Sequence, residues 1–190
     1  IPDGAGLLFA ARLRGAPLRE QVTGTDLADR LAGLAAQEGW RMFLLGAGEG
    51  VAAAAAAWLQ ARHPGLQIAG TYAGSPRPAD DDSLKRLIFQ AVPVDILLVA
   101  YGAPAQEKWI ARNLPTLDVG LAMGVGGAFD FFAGRVRRAP PWVRRLGFDW
   151  LYRLIQQPWR WRRQLALPQF VILALLEAVM LKCGGRGAKS

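Results

Sequence analysis

Three glycine-rich stretches hold the residues whose types and spacing suit chemistry. Gly46-Ala-Gly48-Glu-Gly50 follows an apolar run and opens a helical pattern. Glycines at such a junction let backbone N–H groups approach a phosphate at a helix N-terminus. An ordinary tight strand-to-helix turn leaves the same trace. A dinucleotide loop fits poorly, because position 51 is Val51 rather than a further glycine, and Gly70-Thr-Tyr supplies no ribose-binding acid.

The second stretch is Gly102-Ala-Pro104-Ala-Gln106-Glu107-Lys-Trp109. It places Gln106 and Glu107 in a helix's first turn, facing the edge where ligands meet a parallel sheet. Plain turn chemistry at Pro104 and a favourable helix dipole at Glu107 explain it equally well. The third is Gly124-Val-Gly126-Gly127-Ala-Phe129-Asp130-Phe131-Phe132-Ala-Gly134. Its glycines allow close approach, its phenylalanines can stack, and Asp130 can accept from a ring N–H, so it reads as a base-binding slot. The competing reading is a buried loop with core phenylalanines. Farther on, Arg137-Arg138 and Arg153, Arg160, Arg162 and Arg163 can grip phosphate bidentately or form a solvated basic face.

The elements that must position these residues follow from periodicity. Apolar runs at Met42–Leu45, Leu66–Ala69, Asp95–Ala100 and Val119–Met123 read as strands. Helical patterns at Asp26–Glu38, Val51–Ala61, Asp81–Gln90 and Gln106–Asn113 alternate with them. Near-continuous apolar strands alternating with helices predict a parallel sheet covered on both faces. The ligand-side loops are then Gly46–Gly50, Gly70–Pro78, Tyr101–Ala105 and Gly124–Gly134. The fold class is α/β: a parallel-sheet, Rossmann-like body over 1–134 with a basic, Trp-rich helical C-terminal appendage over 135–190. The appendage reads as helical from Trp142, with Trp142, Leu146, Trp150 and Leu154 on one face and Arg145, Asp149 and Arg153 able to pair on another. Pro158 can open a further helix. Phe170–Leu181 is apolar apart from Glu177 and too short to span a bilayer.

Composition narrows the chemistry. The 190 residues include 23 Lys plus Arg against 15 Asp plus Glu, a formal charge of +8. Nine arginines lie between Arg135 and Arg163 with a single acid, Asp149, which suggests an anionic partner. One cysteine, Cys183, excludes an internal disulfide framework and a cysteine zinc site, and the single histidine, His63, weakens any His-dependent triad. The chain begins at Ile1, which suggests a fragment or processed form.

Taken together, the motifs resemble the WecG/TagA/CpsF glycosyltransferase family. The matching stretches are Ile1-Pro-Asp-Gly-Ala-Gly6, Val22-Thr-Gly-Thr-Asp26, Phe43-Leu-Leu-Gly46, Gly102-Ala-Pro-Ala-Gln-Glu107, Gly124-Val-Gly-Gly-Ala-Phe-Asp-Phe131, Arg138-Ala-Pro140 and Trp150-Leu-Tyr-Arg-Leu154 with Pro158. The resemblance implies transfer of an N-acetylmannosamine-type sugar from a UDP donor to undecaprenyl-diphosphate-linked N-acetylglucosamine, for teichoic acid or another surface polysaccharide. It implies an inverting, metal-independent reaction with no cofactor. Departures from the family pattern are a missing N-terminal segment ahead of Pro2-Asp3-Gly4, Gln21 for an arginine, Ala105 for a lysine, and Asp149 and Gln157 for glutamates.

Under that resemblance Asp3 is the base and Gln106 the sugar-contacting residue. Gly46, Gly48, Gly102, Pro104, Glu107, Gly126, Gly127 and Asp130 line the donor site, with Asp130 and its glycines on the uridine. Arg153, Arg160 and Arg163 meet the diphosphate. A departing UDP needs cations, and without clustered carboxylates for Mg²⁺ the arginines are the residues to supply them. The same tail suits an anionic membrane surface, placing the enzyme in the cytoplasm, peripheral on the inner face of the plasma membrane. Nucleic acid is not an expected partner, and a homo-oligomer stays open. Two other classes compete: a nucleotide-binding oxidoreductase, and a non-catalytic basic module that binds membrane or nucleic acid.

Overall fold

A computed structural model of the chain describes residues 11, 22–91, 93–140, 142–143 and 148–158. Gly24–Arg137 forms one compact unit. Its four strands, β1 (Arg41–Gly46), β2 (Gln67–Tyr72), β3 (Val94–Ala100) and β4 (Val119–Gly124), make an all-parallel sheet in the order β2-β1-β3-β4. Helices α1 (Gly24–Glu38), α2 (Val51–Arg62), α3 (Asp81–Gln90), α4 (Ala105–Asn113) and the short α5 (Ala128–Phe132) complete the unit. The expected parallel-sheet α/β body is thus the one that forms.

The unbroken apolar runs have a direct cause. Side chains alternate between faces along a strand, and here both faces are covered. Met42 and Leu44 of β1 join Ile96 and Leu98 of β3 in a core with α1, α2 and α5. Phe43 and Leu45 join Leu97 and Val99 on the opposite face, against Leu84 and Ile88 of α3 and Trp109 of α4. Each such side chain contributes roughly 1.5–3 kcal/mol when fully buried. Helix α1 offers the sheet Ala28, Ala32 and Ala35, a stripe of small residues that permits close packing. The alanine run of α2 buries Ala52, Ala55 and Ala56 beside Val51 and Leu59.

One strand is longer than its pattern suggests. β2 continues through Gly70, Thr71 and Tyr72, positions that read as the start of a loop. Gly70 looks like a strand breaker, yet it is paired with Phe43, and a Cβ there would lie 2.6 Å from the Phe43 ring. The missing side chain is what admits the aromatic ring at this point of the core. A second local device fixes the sheet's entry, where the backbone N–H of Arg41 donates to Asp95 Oδ2 at 2.7 Å.

The remaining described residues belong to the other unit, which comprises residues 1–23 and 138–190. Within it, Arg138 donates from Nη2 to Thr23 Oγ1 at 3.2 Å. Residues 142–143 are helical, and α6 spans Asp149–Gln156 with Phe148 at its N-cap. Helical backbone is therefore interrupted at Phe148, so the stripe running from Trp142 to Leu154 does not lie on one continuous helix. Trp142, Phe148, Leu151 and Ile155 expose apolar surface. No helix among the described residues is long and apolar enough to cross a membrane.

Candidate functional site

The strand order marks where a ligand crevice is expected. From β1 the chain steps to β2 on one side, then returns to lay β3 on the other side of β1. In open parallel sheets, ligands bind beyond the strand C-termini at such a reversal. The loops at this point are Gly46–Gly50 after β1 and Tyr101–Pro104 before α4, with the loop after β4 beside them. The three glycine-rich stretches thereby resolve into one sheet edge carrying Gly46, Gly48, Gly102, Pro104, Gln106, Glu107, Gly126, Gly127 and Asp130.

The loop after β1 is held from two directions. The N–H of Ala47 donates to the carbonyl of Ala100 at 3.1 Å, and that of Val51 to Gly48 at 3.0 Å. A Cβ on Gly46 would stand 2.8 Å from the Ala100 carbonyl carbon, so this glycine serves strand packing. Exposed Arg135 reaches back to the same loop and donates from Nη2 to the Glu49 carbonyl at 3.4 Å. Sequence reading assigns Arg135 only to the basic tail. Its contact lies 86 positions away, beyond the reach of any local signal.

The loops after β3 and β4 are joined by one side chain. Gln106, in the first turn of α4, is buried, and its Oε1 accepts from the backbone N–H of Gly126 at 2.9 Å and of Gly102 at 3.2 Å. Its Nε2 donates to Glu107 Oε1 at 2.8 Å. Gly124 makes room for the amide, since a Cβ there would fall 2.6 Å from Gln106 Nε2. Pro104 occupies the N-cap position of α4, and Glu107 is exposed in its first turn.

The phenylalanine slot takes a different form from the one its composition suggests. Phe129 and Phe132 are core residues, and Phe132 stacks on Trp58 with ring centroids 5.0 Å apart. Their spacing on the single turn of α5 turns both inward, so neither ring is available to a base. Phe131 and Asp130 remain half-buried on the same turn, and the Asp130 carbonyl accepts the N–H groups of Arg135 and Val136. Tyr101, at the end of β3, meets Trp109 edge-on at 6.2 Å, and burial pushes its phenol well above the ordinary tyrosine range. Nothing in the local sequence marks this pair of half-buried Tyr101 and buried Trp109 behind the loop after β3.

His63 is accounted for structurally. It follows α2, and its Nε2 lies 2.7 Å from Asp29 Oδ1 of α1, a carboxylate that also accepts from Arg62 Nε. No cluster of three or more His, Cys, Asp or Glu side chains suited to a metal occurs among the described residues. Arg153 lies in the last turn of α6 and is half-buried. Asp3, Arg160 and Arg163 lie outside the described residues, as do Arg145, Leu146 and the Phe170–Leu181 segment.

The model of the glycosyl transferase WecG/TagA/CpsF family matches residues 1–183. The chain belongs to this family. Its class of chemistry is accordingly glycosyl transfer. A relative from Bacillus subtilis (strain 168) is 36% identical over 177 residues, covering 93% of this chain and 68% of its own. One from Staphylococcus aureus (strain MW2) is 32% identical over 171 residues, covering 90% and 66%. Both bear the name N-acetylglucosaminyldiphosphoundecaprenol N-acetyl-beta-D-mannosaminyltransferase. The chain thus spans about two thirds of the length of these curated relatives.

Proposed function

We propose that this chain transfers an N-acetylmannosamine-type sugar from a UDP donor to undecaprenyl-diphosphate-linked N-acetylglucosamine, in the synthesis of a surface polymer such as teichoic acid. The observation that carries the reading is the 36% identity, over nearly the whole chain, to a relative bearing the name of that activity. The sheet supports it in a general way: loops rich in backbone N–H groups converge where an α/β sheet takes a nucleotide.

The reaction we infer is one inverting displacement. Asp3 removes the proton of the acceptor hydroxyl, whose oxygen attacks the donor's anomeric carbon as the bond to the UDP oxygen breaks. Charge develops on the departing diphosphate, and the stabilising groups must already be aimed at it. Arg153, Arg160 and Arg163 fill that role without a metal ion. Asp130 accepts from the uracil ring N–H. The division of labour is a donor-binding α/β body over 24–137 and a basic tail over 138–190 that meets both diphosphate and anionic lipid. Exposed Trp142, Phe148, Leu151 and Ile155 suit the headgroup region of a membrane's inner face.

The test is a transfer assay on the full-length gene product with UDP-N-acetylmannosamine and a short-chain lipid-diphosphate acceptor. Product of inverted anomeric configuration, formed in the presence of a chelator, supports the reading. Absence of transfer, or binding of NAD(H) in its place, overturns it.

A further inference from the structure

We propose that Gln106 is a positioning residue: its carboxamide sets the spacing between the loop after β3 and the loop after β4, the two walls of the donor crevice. The inference rests on the donor-site reading above and gives Gln106 a role other than sugar contact. An amide oxygen has two lone pairs, and here both are taken by backbone donors, Gly102 from one loop and Gly126 from the other. A sugar hydroxyl can be accepted at Oε1 only by giving up a loop bond.

The amide's orientation is fixed from the other end. Turned over, Gln106 would aim its NH₂ group at two N–H donors, whereas the observed orientation sends Nε2 to the Glu107 carboxylate. The exposed acid beside Gln106 thereby acts as the second half of the clamp. Gly124 is the third part, since any side chain there would drive the amide off its two partners. Two loops and one helix turn thus converge on a single buried amide, which holds the ligand-side backbone at that spacing.

This geometry predicts a specific exchange. Q106E keeps an acceptor for Gly102 and Gly126 but sets two carboxylates against each other. The double variant Q106E/E107Q restores one donor and one acceptor in reversed order, with an amide at position 107 now donating to a carboxylate at position 106. The full-length protein and both variants would be compared by UDP calorimetry, by donor KM and kcat, and by amide hydrogen exchange at Gly102 and Gly126.

Q106E should raise UDP Kd and donor KM by about tenfold, the scale of one lost charge-assisted hydrogen bond, and should speed exchange at both glycine amides. The double variant should recover both properties to within about twofold, the signature of a coupled pair. If Q106E lowers kcat while leaving exchange at both glycines unchanged, and the reversal rescues nothing, Gln106 acts by direct contact and the proposal falls. Should Q106E fail to fold, the double variant alone decides: a folded double variant with normal exchange supports the clamp, and an unfolded one refutes it. A wild-type protein that binds no UDP would overturn the donor-site reading, while the exchange data would still decide the clamp.

Discussion

Arg112, in the last turn of α4, grips Asp81, in the first turn of α3, with two side-chain hydrogen bonds: Nε to Oδ2, and Nη2 to Oδ1 at 2.9 Å. The same Nη2 donates to the Pro76 carbonyl at 3.1 Å, so one guanidinium ties two helices and the loop after β2 together. Asp81 is buried, and the hydrogen bond from Arg112 holds its carboxyl below the usual carboxylate range despite the opposing cost of burial.

Asp81→Asn should therefore destabilise the body at neutral pH by about 1–2 kcal/mol, a charge-assisted pair discounted for the solvent on Arg112's open side. The sign follows from the lowered folded pKa. The contribution is complete above the unfolded value of about 3.9 and disappears as pH falls through the folded value. Denaturant melts of wild type and variant at neutral pH should differ, and melts at strongly acid pH should converge. A constant gap across that range would show that the pair's charge contributes nothing.

Gly70→Ala should cost roughly 1–3 kcal/mol, the usual penalty of overpacking a formed core. The Phe43 ring is buried, so it cannot turn out to solvent to relieve the clash. Combining Gly70→Ala with Phe43→Leu should recover part of the loss, which a denaturant cycle measures directly. Additive losses would mean that the strand fails for backbone reasons instead.

Asp3→Asn in the full-length protein should lower transfer by roughly 10²–10⁴-fold, the range of a lost general base. UDP affinity should be nearly unchanged, because the base acts on the acceptor. A near-wild-type rate removes Asp3 from the mechanism.

Asp130→Ala should weaken UDP binding by roughly 10- to 100-fold, as for a lost charge-assisted hydrogen bond, with a smaller effect on turnover at saturating donor. Calorimetry with unchanged UDP affinity would take Asp130 off the uridine.

Deleting 138–190 should leave the α/β body folded while abolishing transfer and binding to anionic vesicles. The cut falls after Arg137 because Val136 is buried and its N–H is bonded to Asp130. Arg153, Arg160 and Arg163 changed together to Ala should impair transfer more than vesicle binding, since other arginines of the tail remain. Vesicle sedimentation at low and high salt separates the electrostatic share of binding. A truncated protein that transfers sugar at the normal rate would show that the leaving group is stabilised elsewhere.

What can be seen in the residues is the part governed by short range. The period of the apolar runs locates β1 and β3 nearly to the residue, because strands covered on both faces leave few polar positions to blur their ends. Gly70 misleads because its reason for being glycine sits on another strand, in the Phe43 ring. Phe129 and Phe132 cannot be divided from Phe131 by type, since only the turn of α5 decides which rings face the core. Gln106 falls at the correct edge, but its bonds to Gly102 and Gly126 depend on two loops being brought side by side. Composition carries no record of that approach.

The strand order also dictates when the crevice can exist. β1 can pair with β2 as soon as the intervening helix has formed. Its other neighbour, β3, lies far along the chain, and the Arg41–Asp95 hydrogen bond that marks their junction spans 54 positions. Contacts of such separation demand long loop closures and form slowly. The Gln106 bond to Gly126 requires the chain to extend 20 residues beyond Gln106 itself. During synthesis the β1–β2 half can be assembled while the loops after β3 and β4 are still apart, so their junction at Gln106 forms only after the first strands have paired. A nascent chain can pair its first strands long before these two loops can meet.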